Sequence, residues 1–206
     1  MRVYVVWAFV VLFLAMAVGS VWADANLLAN GDFEDPFINQ PWAYIAPGSS
    51  IPGWTASGSG VVLNNTFGQP AAYSGVQSVE LNYYGPAGLW QDIATTPGQT
   101  YELTFAMAGQ YNTGPSTKGM EIRWENALAG TVTWDQYQSG GAWELHSLTL
   151  TATGPTARLE FWGLVEGDGG PYVDAASLNA VPEPSTFISL PVLLIGTVGL
   201  ALRRRK

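Results

Sequence analysis

One histidine and no cysteine among 206 residues narrow the chemistry available to this chain. Without cysteine there is no disulfide scaffold, no thiolate metal cage and no cysteine nucleophile. His146 alone cannot build a histidine-rich zinc site. Its phase with Leu148 and Leu150 reads as a core or sheet-edge histidine, not the base of a Ser-His-Asp triad. Glu34, Asp35, Glu80, Asp92, Glu121 and Glu125 are raw material for a glycosidase, which needs two carboxyl groups facing across a cleft, one of them able to hold a proton. Nothing in their spacing pairs two of them, and the sequence is read as non-catalytic. No phosphate-binding glycine loop of the nucleotide type occurs. The glycines fall at turns such as Gly140-Gly141 and Gly167-Asp168-Gly169-Gly170.

Aromatic rings are the other chemical resource. Between the two ends lie Trp42, Trp54, Trp90, Trp124, Trp134, Trp143 and Trp162. Flat rings can stack on the apolar faces of pyranose sugars, and they can equally fill the core of a disulfide-free sandwich. Trp90 is opposite in phase to Leu89 and Trp162 to Phe161, so these two are expected to be exposed. Tyr83-Tyr84, beside Asn82, and Tyr111-Asn112 read as loop residues near a groove. Trp90, Trp162, Tyr83 and Tyr84 are therefore the candidate glycan-binding residues.

The elements that must position these residues read as strands. Tyr101, Leu103, Phe105 and Met107 alternate with Glu102 and Thr104 after the turn Pro97-Gly98-Gln99. Further strands are expected over Asn26–Phe33, Gly60–Leu63, Ser78–Asn82, Gly88–Ala94, Met120–Asn126, Thr131–Trp134, Leu145–Ala152, Ala157–Gly163 and Tyr172–Leu178. His146, Leu148, Leu150 and Ala152 share a face, as do Ala157, Leu159 and Phe161. With no long amphipathic helix between Asp24 and Ala180, the pattern predicts an all-β, two-sheet antiparallel jelly-roll sandwich over 24–180.

Charge sets the partners. Of eight cations, Arg2 stands at the start and Arg203, Arg204, Arg205 and Lys206 at the end, leaving Lys118, Arg123 and Arg158 against all 16 acidic residues. A body this acidic is repelled by phosphate backbones, so nucleic acid is not an expected partner.

Both ends read as addresses. Arg2, the apolar run Val3 to Val18, and Val21-Trp22-Ala23 form a signal peptide, 1–23, cleaved by signal peptidase. At the other end Val181-Pro182-Glu183-Pro184 precedes an apolar helix, 187–202, and the basic tail 203–206. That helix spans roughly 24 Å, a little short of a bilayer core, with its cations held in the cytoplasm. Pro182-Glu183-Pro184, helix and basic stop, in that order, resemble the PEP-CTERM sorting signal of exopolysaccharide-producing Gram-negative bacteria. The resemblance implies processing by exosortase, a transient inner-membrane intermediate, and delivery to the cell surface or extracellular matrix.

A second resemblance covers nearly the whole body. It rests on Asn26-Leu27-Leu28-Ala29-Asn30-Gly31-Asp32-Phe33-Glu34, Ile51-Pro52-Gly53-Trp54, Ser74 to Leu81, Gln91, Thr96 to Tyr101, Trp143 and Asp174-Ala175-Ala176-Ser177-Leu178. These resemble galactose-binding-like jelly rolls, and their order and spacing are most similar to the exported choice-of-anchor C family. The resemblance implies one structural calcium ion tying Glu34 to Asp174, helped by carbonyls near Asn30 to Asp32 and Gly75 to Gln77. Taken together, the expectation is an exported surface or matrix protein associating with exopolysaccharide. A purely structural matrix protein and a carbohydrate-active hydrolase are the alternatives.

Overall fold

The computed structural model describes residues 26–65 and 70–182. The signal peptide, Glu183-Pro184, the apolar helix 187–202 and the basic tail lie outside the described residues. Pro182 lies in coil just after the last strand. Among the described residues no helix is long and apolar enough to cross a membrane.

The chain forms twelve strands. Alternation of apolar and polar residues buries one face of strands such as Thr117–Trp124 and Thr156–Gly163, whereas Val61–Asn65 and Gln77–Glu80 are buried on both. The twelve form two six-stranded antiparallel sheets. The first contains β1 (Trp42–Ile45), β4 (Val61–Asn65), β5 (Gln77–Glu80), β12 (Pro171–Ala180), β7 (Thr100–Gly109) and β10 (Glu144–Thr151), in that spatial order. The second runs β2 (Ser50–Ile51), β3 (Trp54–Gly58), β6 (Ala87–Ala94), β11 (Thr156–Gly163), β8 (Thr117–Trp124) and β9 (Ala127–Asp135). This is the all-β sandwich expected from the alternation.

The inner faces meet through an aromatic chain. Phe105 on β7 packs edge-on against Phe161 on β11 at 5.1 Å, Phe161 lies 5.9 Å from Trp54 on β3, and Trp54 lies 5.5 Å from Phe33. Tyr101, Leu103, Phe105 and Met107 are all buried, as alternation predicts. His146 stacks on Phe105 at 5.5 Å on the inner side of edge strand β10, and its Nε2 is buried without a hydrogen-bond partner. Burial lowers its pKa, opposed by nearby Glu144, so it is a core-edge histidine.

Two expectations are corrected. Residues 26–33 are not a strand but a chain of turns. Asn30 and Phe33 take positive φ (50° and 56°), which interrupts an extended run. The Asn26 side chain substitutes for a ladder, donating to the Ala176 carbonyl and accepting from the Leu178 amide. Conversely, β1, β2 and all of β3 lie outside the expected strands. They are short, and β3 alternates Trp54 and Ala56 with Thr55 and Ser57, a pattern of mostly small residues that carries little apolar signal.

β12 also carries a bulge. Its register against β7 shifts between Asp174 and Ser177, with Ala175 at φ 49°. One extra residue reverses the side-chain phase. Val173 faces inward before the bulge and Ala176 and Leu178 after it, while Asp174 is freed to serve a loop.

Candidate functional site: an aromatic groove on the outer face of one sheet

Strand register assembles a row across the outer face of the first sheet. Tyr44 pairs with Val62, Val62 with Glu80, Glu80 with Tyr172, and Tyr172 with Ala108. A second row begins with Trp42 opposite Asn64. A cavity of about 270 Å³ lies over these rows, lined by Trp42, Asn64, Glu80, Tyr83, Tyr84 and Tyr172 among others, with Gln110 and Asp168 at one end.

The turn after β5 supplies the tyrosines. Asn82, fully enclosed, donates to the Val165 carbonyl and accepts from the Tyr84 amide, and Tyr84 sits at φ 59°. The Ser59 hydroxyl donates to the Gly85 carbonyl and accepts from the Tyr83 amide. Tyr83 packs 4.1 Å from Tyr44 and 5.1 Å edge-on from Tyr84. The wall is thus held before any ligand arrives, yet Tyr84 remains 71% exposed and Trp42 53%, leaving ring surface free to stack.

Glu80 forms the floor. It accepts the Gly170 amide at 2.8 Å and hydrogen-bonds the Tyr172 hydroxyl. Burial pushes its carboxyl up to about 7, opposed by those two hydrogen bonds, while Asp168 adds to the rise. Tyr172 is raised far beyond the ordinary phenol range, chiefly by the same burial. Lys118 lies behind the groove and donates to the carbonyls of Thr113 and Pro115, anchoring the loop after β7. Burial lowers its pKa, and the charges of Glu80 and Asp168 work against that.

Of the predicted glycan residues, the structure brings Tyr83 and Tyr84 together. It puts Trp90 and Trp162 elsewhere, on the outer face of the second sheet. Neither ring is an exposed platform: Arg158 lies 3.5 Å over Trp90 and Arg123 4.6 Å over Trp162, leaving both half-buried. Arg158 grips Asp92 with two hydrogen bonds of 2.7 and 2.8 Å, and Arg123 bridges Glu121 and Glu160. Both rings lie on the outer face, as their parity predicts, but neither is bare. Alternation carries no information about long side chains on neighbouring strands, and those cover the rings. Tyr111 is exposed but does not line the groove.

Sequence reasoning missed Trp42, Asn64, Gln110 and Asp168. The parity of Trp42 and Tyr44 was the available signal, on a strand too short to announce itself.

Glu34 and Asp174, far apart in sequence, converge on residues 73–77. Glu34 Oε1 accepts the amides of Val76 and Gln77, and Asp174 accepts those of Ser74 and Ala175. Burial raises Asp174 to about 6, and the Glu34 charge adds to it. A divalent cation between a buried Asp174 and a part-exposed Glu34 would offset both the burial of the one and the charge of the other. Among the described residues no third acidic, histidine or cysteine ligand joins them. Two of the carbonyls expected to assist already accept hydrogen bonds, Asn30 from Phe33 and Trp54, and Gly31 from Ala176.

Comparison with known proteins adds three findings. A family model described as "Protein of unknown function (DUF642)" matches residues 26–179. Over 171 residues the chain is 29% identical to the multifunctional-autoprocessing repeats-in-toxin of Vibrio vulnificus and 30% identical to that of Vibrio cholerae serotype O1. Each match covers 78% of this chain but 3% of the toxin, so the chain spans a small fraction of these relatives. Among solved structures, the Stig cyclase Fisc from Fischerella sp. TAU, in complex with (3Z)-3-(1-methyl-2-pyrrolidinylidene)-3H-indole, is similar with a TM-score of 0.55 at 16% identity. That likeness covers 77% of this chain and 98% of the cyclase. TmCBM61 in complex with β-1,4-galactotriose is similar with a TM-score of 0.52 at 14% identity, over 77% and 100%.

These likenesses concern the fold, a carbohydrate-binding-like β-sandwich. They also correct the reading of the chain as non-catalytic. Cyclases carry the same sandwich, so a small all-β domain gives no ground for excluding catalysis. The groove itself bears a carboxyl raised to about 7, within the range of a general acid.

Proposed function

The chain belongs to the DUF642 family, and from that premise we propose that it is an exported glycan-binding protein that associates with exopolysaccharide through the groove of Trp42, Tyr83 and Tyr84. One observation carries the reading: exposed aromatic rings stand over a floor of carboxyl and amide groups in a preformed cavity. Rings of this kind stack on pyranose faces while the polar floor fixes hydroxyls. That TmCBM61 holds β-1,4-galactotriose on a similar fold supports the reading.

The terminal segments support export. We propose cleavage by signal peptidase after Ala23, then sorting by exosortase at Pro182-Glu183-Pro184, with the helix 187–202 as a membrane intermediate. The product resides at the cell surface or extracellular matrix of a Gram-negative bacterium, as the likeness to PEP-CTERM and choice-of-anchor C proteins supports. Glu34 and Asp174 are proposed to hold one structural calcium ion, which binds the start of the domain, the 73–77 segment and β12 together without entering the groove.

The test is a glycan array with the full-length protein, in calcium and then in chelator. Retention on defined polysaccharides that Trp42→Ala abolishes supports the assignment. No retention by the folded protein overturns it in favour of a structural matrix role.

A further inference from the structure

All three cations among the described residues are engaged within the protein. Lys118 is fully buried against two carbonyls, Arg123 is held between Glu121 and Glu160, and Arg158 is paired with Asp92. None lines the groove, whose carboxyl groups are Glu80 on the floor and Asp168, exposed at one end.

Resting on the glycan reading above, we infer that the groove takes uncharged pyranose chains and rejects uronate- or sulfate-bearing ones, because its walls present carboxyl groups and side-chain amides with no cation among the described residues that line it. An anionic sugar entering it gives up hydration and meets Glu80 and Asp168 in return, a like-charge juxtaposition. The site already resists its own charge: burial raises Glu80 to about 7. The side chains of Gln110 and Asn64 line the cavity and present amide groups to hydroxyls, the Asn64 NH2 also donating to the Val62 carbonyl. Long-range charge acts in the same direction, since the body is strongly acidic.

The experiment is affinity electrophoresis of the full-length protein at near-neutral pH, in low and high salt. The gels carry a panel of neutral galactans and glucans, and the same backbones bearing sulfate or uronate. Neutral chains are expected to retain the protein almost independently of salt. Their anionic counterparts are expected to bind at least about tenfold more weakly in low salt, with the gap narrowing as salt screens the repulsion. In Asp168→Asn, and separately in Glu80→Gln, the ratio of anionic to neutral retention should rise several-fold. If either variant fails to fold, the salt dependence of the unaltered protein decides. Equal or tighter binding of anionic chains overturns this inference and leaves the glycan reading standing. Retention of neither class overturns the glycan reading and this inference with it.

Discussion

Glu80 and Tyr172 face each other across the β5–β12 ladder, and the tyrosine hydroxyl hydrogen-bonds the carboxyl on the floor of the groove. Neighbouring strands thus deliver two buried titratable groups to one cavity wall, where shared burial raises both, Glu80 raises Tyr172 further, and the tyrosine hydrogen bond partly offsets the rise of Glu80.

Stability should register that burial. Glu80 titrates at about 7 in the fold against 4.5 ordinarily. Between those values the native state keeps a proton that the unfolded chain has released, so stability is lost as pH rises from 4.5 through 7. The full shift corresponds to about 3 kcal/mol. Denaturant titrations of Glu80→Gln across that window should show a flatter pH dependence than the unaltered protein. Identical slopes would mean that Glu80 is not the group responsible.

Ring substitutions should separate the two outer faces. Trp42→Ala or Tyr84→Ala is expected to weaken polysaccharide retention about tenfold or more, as removing an aromatic anchor commonly does. Trp90→Ala should leave retention within about twofold and lower the melting temperature, since Trp90 stacks under Arg158 and its cation–π contact is worth about 1 kcal/mol. The reverse pattern would move the binding face to the second sheet.

Calcium should act on stability through Asp174. Adding it is expected to raise the melting temperature and a chelator to lower it, with the shift abolished in Asp174→Asn. The carboxyl of Asp174 is raised to about 6 from 3.8, so in chelator stability should fall as pH rises through that window. A bound cation, favouring the charged form, should remove the fall. A melting temperature indifferent to both additions would dismiss the ion.

Gly75 offers a conformational test of the same region. It lies at φ 63°, and an added Cβ would sit 2.6 Å from the Glu34 carboxyl carbon. Gly48 also has positive φ (79°) but open space around it. Gly48→Ala should therefore cost about 1 kcal/mol, from backbone strain alone. Gly75→Ala should cost more, up to about 3 kcal/mol, and shrink the calcium response. Equal losses in chemical denaturation would show that Glu34 yields freely.

Much of the scaffold was legible in the sequence. Alternation located β4 to β12 and the inward faces of β7, β10 and β11, because a pleated strand converts residue parity directly into burial. It failed at 26–33, where Asn30 and Phe33 turn left-handed, at β1 and β2, which are too short to show a period, and at β3, whose small residues carry little apolar signal. It could not place the β12 bulge, since one inserted residue is visible only against the partner strand.

The site divides along the same line. Composition removed thiol and multi-histidine chemistry, local order marked Tyr83-Tyr84, and only the resemblance to galactose-binding-like domains paired Glu34 with Asp174. The groove arose only when register aligned Tyr44, Val62, Glu80 and Tyr172 from four strands distant in sequence. The fate of Trp90 and Trp162 was decided in the same way, because parity selects the face of a sheet, whereas a guanidinium from a neighbouring strand determines whether that face is bare.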